Sequence, residues 1–371
     1  MKKKVLTCVG TRPNLIKITQ LHRCFQAYPF IEHKLLHTGQ HFDYNMNDVF
    51  FKELGIKAPD AFLNINQGTQ INVIARIMEA FEAFIQNDRP DLVMVPGDVN
   101  SSFACAFVAQ RYGIPVAHIE SGLRSFDMTM PEEANRLLID VLADIYFVTE
   151  PSGEANLLRS GVEKSKIKYV GNTMIDALVA FTPMIDKSDI RSRLGVSNYY
   201  LLTFHRPINV DNKENLQTLA EIIAKVAEQK QVVFPVHPRT RRRLEEFGLS
   251  TILKNGNVIL TDPIGYIDFI NLVKNSSAVI TDSGGVQEET TFMGVPCITV
   301  RPSTERPVTV TEGTNTLARL DRETILNLLK DIDTNTYKKG VVPYLWDGQS
   351  SERIAEAIAS FFGTKTENAS A

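Results

Sequence analysis

Two adjacent glycines in the second half of the chain have the surroundings of an anion-binding site. In the stretch Ala278–Glu289, a short apolar run leads to Ser283, Gly284 and Gly285, and a helix-forming segment follows. Glycine has no Cβ, so a phosphate can approach the backbone closely. The start of a helix also offers unpaired N–H donors and the positive end of the helix dipole. Glu289 lies about one turn into that helix, where its carboxylate can accept hydrogen bonds from a ribose diol. The stretch therefore predicts a nucleotide site, and the structural alternative is an ordinary helix start with solvated acids.

Acidic side chains follow apolar runs in the first half of the chain. Asp98 and Glu120 each come at the end of such a run, and Glu132 lies at the start of a predicted helix. Asp98 can alternatively cap the helix that follows it, and Glu132 can be a routine first-turn acid. Glu120 is harder to explain structurally, because burying a carboxylate without a partner costs free energy. These positions therefore predict a group of acid–base residues.

Basic and imidazole side chains follow other apolar runs. Arg12 and Lys17 come after the first run, while His205, His237 and Arg306 belong to the second half of the chain. The first two are alternatively surface cations of a helix, and each histidine is alternatively a satisfied core residue. Acids thus cluster at strand ends of the first half, and anion binders cluster at those of the second. This division predicts a phosphorylated ligand held by the second half, with its reactive part presented to carboxylates of the first.

The elements that position these residues are short apolar strands, each followed by a helix. The segment Gln70–Gln86, for example, carries its apolar residues at the 3.6-residue helical period, and the stretch 14–27 is also amphipathic. The strands are continuously apolar rather than alternating, which indicates a parallel sheet covered on both faces. Strands are predicted at residues 5–9, 32–37, 91–95, 115–119, 145–149 and 167–170, and again at 199–203, 231–236, 258–260, 278–281 and 297–300.

The strand–helix pattern begins again after a helical stretch between residues 171 and 196. We therefore predict the α/β class with two doubly wound domains. The predicted limits are residues 1–171 for the first Rossmann-like domain, 172–352 for the second, and 353–371 for a C-terminal helix and tail that crosses back to the first. Ligands of such folds bind outside the carboxyl ends of the strands, and the cleft between two such domains is the expected site.

Composition excludes several other classes of protein. The 371 residues include 43% hydrophobic and 22% charged side chains with a net charge of −3, which is typical of a globular protein without a nucleic-acid-binding surface. No apolar segment has the length of a membrane span or a signal-peptide core. Four cysteines without a CxxC pair predict reduced thiols in the cytoplasm. His33, His37 and His41 span a predicted strand and turn, where their spacing does not gather them, so no metal site is predicted.

Taken together, these segments resemble the non-hydrolysing UDP-N-acetylglucosamine 2-epimerase family. Each motif alone is weak, but jointly they are highly specific and they run in the family's order over nearly the whole chain. The matching segments are Gly10–Pro13 with Lys17, Gly97-Asp98, His118–Arg124, Pro131–Arg136, Gly171–Thr173 with Asp176-Ala177, His205-Arg206, Pro235–Pro238, Thr281–Glu289 and Thr304–Pro307. The resemblance implies two Rossmann-like domains in the GT-B arrangement, a homodimer, a UDP-sugar substrate and no dissociable cofactor.

The resemblance also implies a mechanism. UDP is eliminated across C1–C2 of the sugar to give 2-acetamidoglucal, and it re-adds after C2 is protonated from the opposite face. This chemistry requires acid–base groups on both faces of the ring. By motif, the catalytic residues are Asp98, Glu120, Glu132, His205 and Lys17. Which carboxylate removes the proton in which direction stays open.

Two sets of binding residues follow from the same resemblance. The substrate-binding set is Arg12, Ser283, Gly284, Gly285, Glu289 and Arg306. Members of the family also bind a second UDP-sugar beside the active site, and near the matching positions stand Gln40, Gln70, Glu133, Arg206 and His237. The cations and backbone N–H groups of the first set can stabilise the negative charge that develops on the β-phosphate as UDP leaves.

The chain also departs from the family pattern. Asn14 stands where the family usually has Glu, Pro207 stands where a second Arg is frequent, and the loop at residues 125–130 is shorter and lacks a Trp-Pro step. The short loop and the His-Arg-Pro sequence look like relatives that epimerise UDP-2,3-diacetamido-2,3-dideoxyglucuronate, so the exact sugar stays open. The leading prediction is an epimerase for envelope or capsule polysaccharide synthesis. The alternatives are a hydrolysing 2-epimerase, a GT-B glycosyltransferase and a catalytically silent UDP-sugar sensor.

Overall fold

The computed structural model describes residues 2–39, 55, 57–254 and 256–367, with side chains described to residue 363. The chain divides into two compact units. The first consists of Met1–Ala180 together with Tyr344–Ala371, and the second of Phe181–Pro343.

The described part of the first unit contains a seven-stranded sheet in which all paired strands are parallel. Its strands are β1 (Lys3–Val9), β2 (Ile31–His37), β3 (Ala61–Phe62), β4 (Leu92–Pro96), β5 (Val116–Ile119), β6 (Ile145–Val148) and β7 (Ile167–Tyr169). They lie in the order β3-β2-β1-β4-β5-β6-β7. The helices are α1 (Arg12–Lys17), α2 (Leu21–Phe25), α3 (Gln70–Asn87), α4 (Asn100–Arg111), α5 (Pro131–Leu142), α6 (Pro151–Arg159) and α7 (Thr173–Ile185), which continues into the second unit.

The second unit repeats this design with a sheet that has six strands among the described residues, again parallel. Its strands are β8 (Tyr199–Thr203), β9 (Gln231–Pro235), β10 (Val258–Thr261), β11 (Ala278–Thr281), β12 (Cys297–Val300) and β13 (Asn315–Ala318), in the order β10-β9-β8-β11-β12-β13. The helices are α8 (Ile190–Leu194), α9 (Pro207–Val210), α10 (Lys213–Ala227), α11 (Pro238–Glu246), α12 (Tyr266–Lys274), α13 (Gly284–Met293), α14 (Pro307–Thr311) and α15 (Arg322–Asp333). The final helix of the chain, α16 (Ser350–Glu367), returns to the first unit.

The predicted α/β class with two doubly wound sheets is confirmed. Strands β4 and β5 are buried at every position, as continuous apolar runs require when helices cover both faces of a parallel sheet. The order of strands reverses between β1 and β4 in the first sheet and between β8 and β11 in the second. Such a reversal opens a crevice at the carboxyl ends of the strands, so each unit has one expected ligand site.

The sequence reading of the secondary structure was incomplete in three places. β3 was not predicted because it has only two residues, and β13 was missed because its sequence Asn-Thr-Leu-Ala mixes polar and apolar side chains. The amphipathic stretch 14–27 forms two short helices, α1 and α2, rather than one. The other predicted strands are present, with ends that differ by at most two residues.

The segment that leads into α16 is fixed to the first unit by polar contacts. The fully buried Trp346 donates a hydrogen bond from Nε1 to the Thr149 carbonyl, 2.8 Å away. The Asp176 carboxylate accepts hydrogen bonds from the backbone N–H groups of Ser350 and Ser351, which are orphan donors at the start of α16. Helix α16 then packs against α2. None of the helices in the described ranges has the length and apolar character needed to cross a membrane.

Candidate active site

At the strand-order reversal of the first unit, the loop after β4 approaches the ends of β1 and β5. Gly97 has φ 62° and its N–H donates to the Ile119 carbonyl, 2.9 Å away. Asn14 Nδ2 donates to the Pro96 carbonyl at 3.0 Å, so α1 also contacts this loop. The positive φ favours glycine at position 97, and a Cβ there would also lie only 3.0 Å from the Lys17 Nζ.

Lys17 and Glu120 form a buried ion pair beside this turn. The Lys17 Nζ lies 2.6 Å from the Glu120 Oε2, and the two residues are only 8% and 4% exposed. Glu120 has φ 66°, a left-handed conformation that a residue with a Cβ rarely adopts. Such strain persists only where surrounding contacts determine it, and it concentrates at functional sites. The geometry directs a buried carboxylate toward Lys17, the last residue of α1.

Asp98 is held by residues of α5. Arg136 Nη2 donates to the Asp98 Oδ2, and Asn135 Nδ2 donates to the Asp98 carbonyl at 2.8 Å. Arg136 is also paired with Glu133, because its Nη1 lies 2.7 Å from the Glu133 Oε2. Asp98 thus belongs to an extended ionic group rather than acting as a simple helix cap. Sequence reasoning assigned no role to Arg136, although the i, i+3 spacing of Glu133 and Arg136 on a helix was a usable signal.

The two adjacent glutamates at the start of α5 occupy different environments. Glu132 is exposed, whereas Glu133 is 1% exposed and accepts hydrogen bonds from the backbone N–H of Ser125 at 2.9 Å and of Phe126 at 3.0 Å. Burial acts to raise the pKa of Glu133, but these hydrogen bonds and the pairing with Arg136 outweigh it and the pKa lies below its ordinary value. Glu133 therefore anchors the short loop before α5, while Glu132 faces solvent.

In the second unit, Asp282 joins the ends of β8 and β11 at the strand-order reversal. Its carboxylate is fully buried and accepts hydrogen bonds from the backbone N–H groups of His205 and Arg206 and from the Asn209 Nδ2. The His205 Nδ1 lies 3.1 Å from the Asp282 Oδ1. Burial opposes ionisation of Asp282, but the contacts with His205 and its neighbours outweigh it and lower the pKa. Asp282 therefore orients the partly exposed imidazole of His205, a role that sequence reasoning did not assign.

The predicted strand, glycine turn and helix are all present after β11. Ser283 is the N-cap of α13, and Gly284 and Gly285 are its first two residues, all partly exposed. The Ser283 N–H donates to the Thr281 Oγ1 at 2.9 Å. A Cβ at position 284 would lie 2.7 Å from the Glu305 Oε1, so a glycine leaves room for this carboxylate. The start of α13 can accept an anion through the backbone N–H groups that a helix leaves unpaired.

The acids that follow on α13 are buried, so the structural alternative of solvated first-turn acids is wrong. Glu288 is 1% and Glu289 is 4% exposed. Burial raises the pKa of Glu289 to about 8, the charge of Glu288 adds to the increase, and a hydrogen bond with Tyr266 acts in the opposite direction. At neutral pH most of Glu289 therefore carries a proton and offers both a donor and an acceptor to a neutral polar ligand.

Arg306 compensates the neighbouring acids. Its Nε lies 2.6 Å from the Glu288 Oε1, and its Nη1 lies 3.3 Å from the Glu305 Oε1. Arg301 pairs with the other oxygen of Glu305 at 2.8 Å. With 6% of its surface exposed, Arg306 is fixed within this ionic group under the glycine turn.

Two of the remaining predicted site residues, Arg206 and His237, lie beside Asp282 and His205, and the others belong to the first unit. Arg12 is the first residue of α1 and is partly exposed, while Gln70 is exposed at the start of α3. Arg206 Nε donates to the Asp282 carbonyl at 3.0 Å. His237 is the exposed N-cap of α11, and its ring centroid lies 5.7 Å from that of His205. Gln40 and His41 lie outside the described residues.

Comparisons with known proteins agree with the resemblance seen in the motifs. Residues 23–359 match the model of the family described as UDP-N-acetylglucosamine 2-epimerase. The chain is similar to a UDP-N-acetylglucosamine 2-epimerase of Methanococcus maripaludis, with 40% identity over 98% of this chain and 99% of the relative. It is also similar to a UDP-2,3-diacetamido-2,3-dideoxy-D-glucuronate 2-epimerase of Pseudomonas aeruginosa, with 38% identity over 96% of this chain and 99% of the relative.

The fold is similar to that of the Methanocaldococcus jannaschii UDP-GlcNAc 2-epimerase, which was crystallised in complex with UDP-GlcNAc and UDP. The TM-score is 0.89 and the identity 38%, over 96% of this chain and 99% of that chain.

The environment of Glu289 predicts a pH dependence of stability. Because its pKa rises from 4.5 to about 8 on folding, the native state holds a proton that the unfolded state has lost between these pH values. Relative to Glu289→Gln, the free energy of unfolding is therefore highest below pH 4.5. It decreases as the pH rises from 4.5 to 8, by at most about 5 kcal/mol in total. Urea unfolding of both proteins from pH 4.5 to 9 measures this difference.

The matched control is Glu312→Gln, which changes an exposed acid of the same unit. This variant should follow the wild-type pH dependence. A stability difference between wild type and Glu289→Gln that stays constant over the whole pH range would contradict the prediction.

Proposed function

The chain belongs to the UDP-N-acetylglucosamine 2-epimerase family, and we propose that it interconverts UDP-N-acetylglucosamine and UDP-N-acetylmannosamine, or a close UDP-2-acetamido sugar. The reaction eliminates UDP across C1–C2 and re-adds it to a 2-acetamidoglucal intermediate whose C2 has been protonated on the other face. The observation that carries the proposal is the buried Lys17–Glu120 pair at the strand-order reversal of the first unit, with Asp98 on the neighbouring turn. A buried carboxylate in a strained conformation contributes little to stability, so its presence here indicates a functional role.

The first unit supplies the acid–base chemistry. Removing the weakly acidic C2 proton and returning one to the opposite face requires at least two proton-transfer groups, each contributing roughly 10²–10⁴-fold. Asp98, Glu120 and Glu132 are the carboxylates that we assign to this set. Lys17 balances the charge of Glu120 and fixes its orientation, and Arg136 does the same for Asp98. Two of the three carboxylates are thereby preorganised before substrate binds.

The second unit binds the leaving group. We assign the diphosphate to the start of α13 and to His205, which Asp282 orients, with Arg306 adding positive charge. The Glu289 carboxyl group is assigned to the ribose hydroxyls, for which a protonated group can both donate and accept. Because these groups bind UDP whether or not it is attached to the sugar, they retain it between elimination and re-addition.

A second candidate substrate is a UDP-2,3-diacetamido-2,3-dideoxyglucuronate. The Pseudomonas aeruginosa relative that carries this name is 38% identical over 96% of this chain, close to the 40% of the Methanococcus maripaludis relative. The short loop before α5 and the His205-Arg206-Pro207 sequence also support it, because both resemble relatives that act on this sugar. The two candidates share the C2 chemistry and differ in the groups at C3 and C6.

The proposed function is tested by proton NMR of UDP-sugars incubated with the protein in D₂O. We expect deuterium at C2 and the anomeric signal of the manno epimer in a UDP-N-acetylglucosamine reaction without any acceptor. Free N-acetylmannosamine with UDP would instead identify a hydrolysing enzyme. Deuterium-free, unchanged UDP-N-acetylglucosamine together with turnover of the 2,3-diacetamido glucuronate identifies the second candidate. No C2 exchange in either sugar, with UDP binding intact, would overturn the proposal.

Glu120→Gln is expected to lower the rate of C2 exchange by roughly 10²–10⁴-fold, because the amide cannot accept the proton. UDP affinity should be unchanged, since the groups assigned to UDP belong to the second unit. Exchange is followed by NMR in D₂O and UDP affinity by calorimetry. Glu163→Gln, an exposed acid of the same unit, is the matched control and should exchange at the wild-type rate. Wild-type exchange in Glu120→Gln would remove Glu120 from the catalytic set.

We further propose that the protein is a homodimer formed through α4 and α5. These neighbouring helices expose three large apolar side chains, Phe107 at 39%, Leu138 at 46% and Val141 at 83%. Apolar side chains on adjacent helices favour a protein–protein contact, because their exposure to water is unfavourable. The arrangement supports an interface between copies of the first unit.

Val141→Glu places a charge in this surface and should convert the dimer to a monomer, because burying an unpaired carboxylate is costly. Sedimentation equilibrium of wild type and variant measures the change. The control is Val341→Glu, which changes a 64% exposed valine of the second unit. It should leave the molecular mass of the dimer in solution unchanged. A monomeric wild type, or a Val141→Glu variant that remains dimeric, would contradict the assignment.

The state of the cysteines supports a cytoplasmic location. Cys8, Cys105 and Cys297 are buried and Cys24 is partly buried, all as free thiols. Free thiols persist in reducing compartments, where disulfides are rare. We therefore assign the reaction to the cytoplasm.

A further inference from the structure

His118 lies on β5, two positions before Glu120, and its side chain is completely buried. Its Nδ1 is 2.7 Å from the Asp140 Oδ1, and its Nε2 is 3.0 Å from the Gly97 carbonyl oxygen. A carbonyl oxygen cannot donate, so the Nε2 carries a proton and donates it to Gly97. One imidazole ring therefore connects helix α5 to the turn that carries Asp98.

Asp140 orients this ring and also holds the turn that follows Glu120. The second carboxylate oxygen accepts a hydrogen bond from the Gly122 N–H at 3.1 Å and is paired with the Arg124 Nη2 at 2.6 Å. Gly122 has φ 77°, and a Cβ there would lie 2.2 Å from the Gly153 carbonyl oxygen. The turn is thus fixed both by close backbone packing and by the Asp140 carboxylate.

The turn that carries Asp98 is fixed on both sides. The Gly97 N–H donates to the Ile119 carbonyl at 2.9 Å, and the Gly97 carbonyl accepts from His118. Glu120 follows Ile119 directly, and the next N–H, that of Ser121, donates to the Phe147 carbonyl at 3.1 Å. The main chain of Asp98 and the strained main chain of Glu120 are therefore joined by a few direct contacts.

We propose that His118, oriented by Asp140, is a positioning residue that sets the spacing between the Asp98 and Glu120 carboxylates. The proposal rests on the proposed function in that these two carboxylates are the reacting groups. His118 is too deeply buried to contact a substrate, so it acts through the Gly97 carbonyl. Acid–base groups on opposite faces of a sugar ring must keep a fixed separation, and a misplacement of about 1 Å can cost on the order of 10²-fold in rate.

The structural alternative is a core histidine whose ring merely satisfies two buried acceptors. It predicts that any substitution lowers stability, with activity falling in proportion. Positioning predicts a difference between two variants of similar stability. The amide nitrogen of Gln occupies the place of the histidine Nε2, whereas that of Asn occupies the place of Nδ1. His118→Gln therefore keeps the donor to Gly97, and His118→Asn keeps only the contact with Asp140.

The experiment compares both variants with wild type by C2 exchange kinetics in D₂O, thermal melting and hydrogen–deuterium exchange mass spectrometry. We expect His118→Asn to lower kcat by about 100-fold and His118→Gln by less than about 10-fold, with KM for the UDP-sugar and UDP affinity unchanged in both. Backbone amides around Gly97 should exchange faster in His118→Asn than in His118→Gln, although the two variants melt at similar temperatures.

Equal kcat in the two variants, or losses that follow their melting temperatures, would overturn the positioning role. A rise in KM without a change in kcat would also overturn it. Amide exchange around Gly97 is independent of the substrate, so it tests the contact even if wild type shows no C2 exchange and the proposed function itself fails. In that case, equal amide exchange in both variants refutes the inference, and unequal exchange supports it.

Discussion

The reversal of strand order in each sheet is the constraint on which both candidate sites depend. Crossover helices leave opposite faces of the sheet on either side of β1 and β4, and likewise of β8 and β11. The loops after these strands diverge, so backbone and side chains there are not covered by a following helix. The first reversal brings together Lys17, Asp98 and Glu120. The second brings together His205 and the glycine turn. The chemistry is therefore placed by topology before any individual side chain is considered.

The two units manage buried charge in different ways. In the first unit, Glu120 and Asp98 each have a cationic partner, Lys17 and Arg136. In the second, Glu288 and Glu289 are adjacent and buried, and burial together with the charge of Glu288 raises the pKa of Glu289. Buried ion pairs contribute little net stability compared with apolar packing. Their presence at both strand-order reversals is better explained by ligand chemistry than by the needs of folding.

Much of this arrangement could be predicted from the sequence, because strand ends and glycine turns are local signals. The apolar runs before Asp98, Glu120 and Gly284 placed these residues correctly at carboxyl ends of strands. The burial of Glu288 and Glu289 could not be predicted, since the sequence of α13 reads equally as a solvated first turn. The roles of His118 and Asp140 depend on contacts between β5, α5 and the loop after β4. Such contacts are set by tertiary packing, which a one-dimensional pattern does not contain.

The loop before α5 combines a fixed anchor with an exposed side chain. Its backbone is held by Glu133, whose carboxylate accepts from Ser125 and Phe126 and pairs with Arg136, the partner of Asp98. Phe126 itself is 74% exposed with φ 58°, so its side chain is free to differ without disturbing the anchor. Relatives named for two different sugars are 40% and 38% identical to this chain. Under the proposed function, changes at exposed positions such as Phe126 can accompany a change of sugar without moving the Glu133–Arg136–Asp98 contacts.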